Sequence, residues 1–483
     1  MLAWLVVSGC ERSGIALGSP VTIDVGTGWD ASARAAALRP FLEVFFAEPL
    51  LGVGWEGRAS ADLAESYEWA DGNRTLRLHL RRDALFHDGT RFTAADAVGV
   101  LERGRIAFAT SVQAEDDYTV RVSLSRPDAF LLEQLREFLM IPADRPDVGT
   151  GPFKLVKQDG PAQLEKFDRY YRGRPAIDRI RVHTYDSQRA AWAAMLRGEV
   201  DYLNDVSREA VDFVEAQSNV NSYRYLTAYY LPLVFNLQHP VLKNVAVRRA
   251  INEAIDRTQI VSQAMRGRAV AANGPIWPEF WAASSTQGPY GFDPAGARAR
   301  LDAAGYRVQK PNAPGMNARF RFSCLYWDEG PQYERIAVVL QKQLFEVGID
   351  LEMRPMPLSD LLARVRAGDY DAFLVQMNSG RGLSWIERFW HSRNQAQGFN
   401  THYDSADGVL DRLRLATSDE ATRAGVVELQ RVLHDDPPAA FLVWLMNARA
   451  ASRRFDIPAE RNRDILPMLW RWRPAQPDRR ASR

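Results

Sequence analysis

Cysteine is almost absent from this 483-residue chain, which has only Cys10 and Cys324. At most one disulfide is open to it. With no CxxC and no Cys/His pair at ligand spacing, a structural zinc site is not expected. There is no GxxxxGK[ST] loop, no HExxH, no GxSxG and no EF-hand loop. P-loop nucleotide hydrolysis, zinc proteolysis and nucleophile-elbow hydrolysis therefore have no residues to carry them. Beyond residue 10 no stretch approaches the ~20 apolar residues that a membrane-spanning helix needs. Charge of one sign is lacking too: 61 Lys and Arg against 60 Asp and Glu leave a formal net charge of +1. No electrostatic case exists for nucleic acid or an anionic membrane surface. Lysine stands only at 154, 157, 166, 243, 310 and 342, so the cations are overwhelmingly arginine, which suits carboxylates and phosphates.

What is present is an ordinary soluble composition, 46% hydrophobic and 25% charged, on a chain long enough for two or three cores. Cys324, inside Arg321-Phe-Ser-Cys-Leu-Tyr-Trp, is expected to be an inert core residue. The apolar run Leu2–Val7 leads into Val7-Ser8-Gly9-Cys10. Small residues before a cysteine resemble the lipobox of bacterial lipoproteins, in which the thiol is acylated and becomes the mature N-terminus. A buried strand or helix end is the alternative, because no basic residue precedes the run. Gly52-Val-Gly54-Trp-Glu-Gly57 matches GxGxxG, but it lacks the strand before and helix after that a dinucleotide site requires, and is expected to be a loop. His391 and His402 have no known ligand spacing. Among thirteen tryptophans, Trp277, Trp281, Trp327, Trp385 and Trp390 fall in or beside expected loops, where aromatic rings can line a cleft.

One pattern recurs: an amphipathic helix, a glycine, then a short alternating strand. Ile336, Val339, Leu340, Leu344 and Val347 mark one helical face, Gly348 suits the left-handed position beyond the helix end, and Ile349, Leu351 and Met353 alternate. The pattern repeats at Leu358–Val365 with Gly368, at Trp192–Leu196 with Gly198, and from Asp293 (N-cap) and Pro294 to Gly305. Mixed sheets flanked by helices are expected, hence an α/β chain. Thr75–Leu80 and Tyr118–Leu124 instead alternate as half-exposed strands, which points to a smaller antiparallel piece over roughly 46–149. Phe86-His-Asp-Gly-Thr reads as a turn, and Thr93 with Asp96 as a capping box.

These last residues also carry a resemblance. Leu63-Ala-Glu-Ser-Tyr-Glu-Trp and Leu76 through Val98, with Phe86-His-Asp-Gly-Thr-Arg-Phe-Thr-Ala-Ala-Asp inside it, resemble the signature of bacterial extracellular solute-binding proteins of the peptide/nickel class (family 5). The likeness continues through Gly149-Thr-Gly-Pro-Phe, Asp168-Arg-Tyr-Tyr-Arg-Gly-Arg-Pro, Val247–Arg257 and Gly368-Asp-Tyr-Asp, over about residues 20 to 450. It implies an α/β, two-lobed, periplasmic-binding-protein-like clamshell (type II) with a third small α+β domain inserted in lobe I. The implied division is 1–18 signal and tether, 19–45 with 150–240 and 440–472 as lobe I, 46–149 the insert, 241–439 lobe II, and 473–483 a disordered tail. Crossings near 235–241 and 439–447 would be hinges.

The function implied is that of the solute-binding component of an ABC importer, anchored through Cys10 on the periplasmic side of a bacterial membrane. It would be monomeric and without cofactor, metal or catalytic residue, and would deliver a peptide-like or other small organic solute to separate permease and ATPase chains. A ligand sensor of the same fold is the second reading; the regulators among such proteins carry a helix-turn-helix for which about 20 residues leave no room. An enzyme built on the cleft is the third. By the resemblance, the ligand would meet Thr27, Gly28, Trp29 and Asp30 after the first strand, Asn236 near the hinge, and Arg381 and Trp385 after the Gly-Asp-Tyr-Asp strand. Trp327 and Asn400 are expected in the same cleft. Peptide binders of the family typically place an acidic residue in the loop that here holds Arg381, to pair with the peptide's ammonium end. This chain has no carboxylate between Asp371 and Glu387, so Arg381 suits a carboxylate or phosphate instead.

Overall fold

The computed structural model describes residues 20–207, 210–284, 288, 290–308, 318–394 and 399–476. Cys10 and the expected leader lie outside the described residues. Two long antiparallel strands, Val220–Phe235 and Ala439–Ser452, run through the middle of a twelve-stranded mixed sheet. On one side lie Ala372–Leu374, Phe320–Trp327 and Ile349–Met356. On the other come Tyr202–Leu203, Thr22–Gly28, Arg179–Tyr185, Ala162–Lys166 and Phe153–Lys157.

Helices cover both faces, so the central strands are apolar on both sides and alternate between two cores. Leu231, Leu233 and Phe235 enter one core with Phe322, Cys324, Leu340 and Leu351. Tyr230 and Val234 enter the opposite one with Leu325, Phe373, Trp390 and Trp444. Nearer the start of the same strand, Val220 packs instead with Ala194, Met195, Leu203 and Ala450. The ladder between the long strands is broken just beyond Leu226, which already packs in the core of Tyr230 and Val234: Leu226 pairs with Met446, and the next pair is Tyr230 with Trp444. A second shift at Leu231/Pro232 accommodates a proline that has no N–H to give the ladder.

The helix–glycine–strand units form as expected, as helices Pro331–Glu346, Leu358–Ala367, Gln188–Leu196 and Pro294–Ala303. Asp293 Oδ1 accepts from Gly296 N at 2.8 Å, and Cys324 is fully buried. The smaller piece is a four-stranded antiparallel sheet of Ala64–Ala70, Thr75–Leu80, Thr119–Leu124 and Ala109–Asp116. Its inward residues Leu76, Leu78, Leu80, Val120 and Val122 share a separate core with the helix Ala94–Gly104. At that helix start, Thr93 N and Oγ1 both donate to Asp96 Oδ2. At the far end of the chain, Arg473–Pro474 pair with Phe455–Asp456 and Ala475 N donates to Arg454 O. Order therefore reaches beyond residue 473, where a disordered tail was expected, because this edge strand gives 473–475 backbone partners.

The small sheet joins the main one around a buried carboxylate. Glu48 follows the helix Ala31–Phe46 and accepts from Thr150 Oγ1 (2.9 Å), Tyr170 OH (2.7 Å) and Tyr171 OH (3.0 Å). Burial pushes its pKa up to about 7, against the pull of the Tyr170 hydrogen bond and of nearby Arg172, which is itself paired with Asp62. A carboxyl whose pKa is raised on folding stabilises the fold below its unfolded value and loses that contribution as pH rises through the folded one. Glu48 is therefore expected to lower stability by about 3 kcal/mol between pH values near 4.5 and above 7. Urea unfolding of Glu48→Gln should lack this loss, so the variant gains on the parent as pH rises; parallel profiles would contradict the assignment.

Candidate functional site

The GxGxxG stretch is a hairpin, not a loop alone: Leu51–Val53 pairs with Ala59–Ala61, closed by Gly54 N donating to Arg58 O at 2.8 Å. Its tip leaves the small sheet and lands on the second lobe. Trp277 Nε1 donates to Trp55 O at 2.7 Å, the two rings meet edge-on at 5.1 Å, and Trp281 N donates to Glu56 O. Gly57 lies with φ at 78°, and a Cβ there would sit 2.2 Å from Arg381 O and 2.5 Å from the Phe280 ring. Only glycine allows both that backbone angle and that approach.

Beneath the hairpin tip runs the loop Asn378–Leu383. It is anchored by Ser379 N donating to Ala228 O, at the break in the long ladder, and by Gly380 N donating to Asn378 Oδ1. Arg381 is held in the left-handed region at φ 66°, its N donating to Ser379 Oγ. Its guanidinium lies over Trp55 (5.0 Å) and Trp277 (5.4 Å). Among the described residues no carboxylate lies within ion-pair distance of it. Burial lowers its pKa, as do the charges of Arg136 and Arg463, while Asp464 acts the other way. Asp464 is already committed to Arg449, through Nε at 3.1 Å and Nη2 at 2.7 Å.

Three further contacts fasten the small domain to the second lobe. Glu133 accepts from Leu383 N and Ser384 N at the start of the helix Ser384–Trp390, with burial raising its pKa against those bonds. Arg136 donates to Gly380 O at 3.2 Å. Arg414 bridges two buried carboxylates, Asp128 at 2.8 Å from the small domain and Glu387 at 2.9 Å from the second lobe.

The expected residues divide into those at this junction and those with other work. Arg381 stands at its centre. Trp385 is beside it on the following helix, against Gly380, tilted to Phe389 and under the guanidinium of Arg388. Trp29 is half-buried at the end of the first strand, edge-on to Phe41, and belongs partly to its lobe's core. Thr27 is 2% exposed, and Gly28 is the point where the backbone of Ser187–Gln188 passes too close for a side chain. Asp30 accepts from Ala33 N at the start of the first helix. Trp327 packs on Tyr333.

Asn236 and Asn400 lie elsewhere. Asn236 donates to Gly368 O and Tyr370 O, and Asn400 O accepts from Tyr370 OH. Both therefore sit where the strand Ala372–Leu374 begins, whereas Arg381 follows its end. Tyr229, 41% exposed, stands in the stretch where the long ladder breaks and pairs with Asn378 on its other side. Trp277 and Trp390 are core, with Trp390 Nε1 donating to Tyr230 OH; Trp281 carries the guanidinium of Arg58 at 3.7 Å.

Sequence reasoning missed Trp55, Arg136 and Arg463. The one available signal was a tryptophan at the tip of a glycine-rich turn. Among the described residues no cluster of His, Cys, Asp or Glu could hold a metal ion. If Arg414 joins the small domain to the second lobe, Arg414→Met should leave Asp128 and Glu387 buried without a counter-charge and cost about 3–5 kcal/mol in urea unfolding. A loss within ~0.5 kcal/mol would show the triad to be unimportant.

Comparison with known proteins fits this geometry. A family model described as bacterial extracellular solute-binding proteins, family 5 middle, matches residues 58–397. The chain is 25% identical to heme-binding protein A of Haemophilus influenzae over 429 residues, 78% of this chain and 77% of that one. It is also 25% identical to the oligopeptide-binding protein AppA of Bacillus subtilis over 432 residues, 80% and 78% of the two chains. The solved structure of the ABC transporter substrate-binding protein CtaP of Listeria monocytogenes superposes with a TM-score of 0.82 at 22% identity, covering 95% of this chain and 100% of that one. A two-lobed α/β fold and a family match over most of the chain place it among the family 5 bacterial extracellular solute-binding proteins.

Proposed function

We propose that this chain, as the solute-binding component of an ABC importer, captures a small organic or peptide-like solute between its lobes and presents the closed form to a permease. The observation that carries the reading is the break in the two long strands at 226–230, with Arg381 and Trp55 gathered beside it. Strands that lose regular pairing can bend there at little cost, and a ligand touching both lobes favours the closed form. The relatives are named as heme-binding and oligopeptide-binding proteins, so the family supports the role and leaves the solute to this chain's own residues. The division into lobe I (19–45, 150–240, 440–472), insert (46–149) and lobe II (241–439), with crossings near 235–241 and 439–447, belongs to this proposal. So do anchoring through acylated Cys10 on the periplasmic side, a monomeric state, and separate permease and ATPase partners.

Two measurements test it. Protein purified from its own host with its ligand should have a smaller radius of gyration in solution scattering than the same protein stripped by unfolding and refolding. Equal radii, with ligand confirmed by native mass spectrometry, would argue against a clamshell. Mass spectrometry of the mature N-terminus should find a chain beginning at a lipid-bearing Cys10; an unacylated chain retaining Met1 would remove the anchor.

A further inference from the structure

Three arginines converge on the ladder break, one from each part of the molecule. Arg381 comes from the second lobe, Arg136 from the small domain and Arg463 from the first lobe, beside Tyr225 and Leu226 through Asn462. Arg381 and Arg463 both lie over the Trp55 ring, at 5.0 and 5.5 Å, and Arg136 reaches the same loop through Gly380 O. Of these, Arg463 has a carboxylate of its own, Glu460 at 2.6 Å on an exposed turn. Asp464, which acts electrostatically on Arg381, spends both oxygens on Arg449.

A half-buried guanidinium with like charges beside it and, among the described residues, no paired carboxylate is unfavourable, and it is kept in place here by strong local constraints. The left-handed backbone of Arg381, the close approach of Gly57 and the carboxylate of Glu133 under Leu383 fix the loop before any ligand arrives. Preorganised cations gain most from an anion they can share. A planar guanidinium flanked by indole rings suits a carboxylate held in the plane of its donors, with the rings walling off water.

Resting on the solute-binding reading above, we infer that the ligand is a carboxylate-bearing organic molecule whose anionic group is held by Arg381 with Arg463 and Arg136 around Trp55, and that a ligand presenting an ammonium group here is rejected. The hairpin tip of the small domain is then part of the binding site, and Trp55 sets the plane between two of the three arginines.

Tryptophan fluorescence of the stripped full chain tests this with four probes: N-acetyl-trialanine, its uncharged C-terminal amide, trialanine amide with a free ammonium group, and citrate. At least one carboxylate probe should bind, with the amides weaker by roughly tenfold or more. Binding by N-acetyl-trialanine over citrate would mark a peptide's C-terminal carboxylate as the source, and the reverse a small organic acid. Arg381→Ala should weaken the carboxylate probe roughly tenfold or more while the unliganded thermal midpoint holds or rises, and Arg381→Lys should recover part of the affinity. Equal binding of the uncharged amide, an unchanged affinity in Arg381→Ala, or no carboxylate probe bound at millimolar concentration would overturn the inference. A co-purified ligand lacking an acidic group would overturn it too, yet leave the importer role standing if its release opens the molecule. Absence of both ligand and closure would remove the two readings together.

Discussion

The long ladder of Val220–Phe235 with Ala439–Ser452 is the constraint on which the rest depends. Both strands are needed to complete the sheet of each lobe, so the lobes cannot separate; yet the hydrogen bonds fail between Leu226 and Tyr230, so they are not held as one slab. At the start of the strand Val220 packs with Ala194, Leu203 and Ala450, while Leu226, Tyr230 and Val234 pack with Phe373 and Trp444. A site placed beside such a break reads the relative position of the two lobes directly. Ser379 N bonded to Ala228 O ties the Arg381 loop to that spot.

The small domain is bound to both lobes by different chemistry. Toward the first lobe it is held by Glu48 under two tyrosines and a threonine, a compact buried network. Toward the second it is held by ions and caps, with Arg414 between Asp128 and Glu387 and with Glu133 on two backbone N–H groups. Its hairpin supplies Trp55 to the junction.

Much of this was legible residue by residue. Period-2 alternation in Thr75–Leu80 and helical spacing in Ile336–Leu344 report local burial, and the capping pair Thr93–Asp96 is three residues apart; such signals need no distant information. Arg381 was legible as a cation in a loop with no carboxylate between Asp371 and Glu387. Trp55, Arg136 and Arg463 were not, since their partners lie across the fold: Trp55 O meets Trp277 222 positions away, and Arg136 meets Gly380 244 positions away. Thr27, Gly28 and Asp30 were expected at the ligand for their place after the first strand. That same sharp turn uses them as a buried strand end, a close backbone crossing and a helix cap. Asn236 follows the end of the long strand and gives its amide to Tyr370 O, a partner 134 positions away that the sequence does not announce.

The central claim is that ligand binding and lobe closure are one event. Spin labels at exposed Leu196 of the first lobe and Val338 of the second would measure it directly by electron–electron distance, with Cys324 buried and inert to labelling. Ligand-bearing protein should give one short, narrow distance distribution, and stripped protein a longer, broader one that returns on adding the recovered ligand. Identical distributions in the two states would contradict the account.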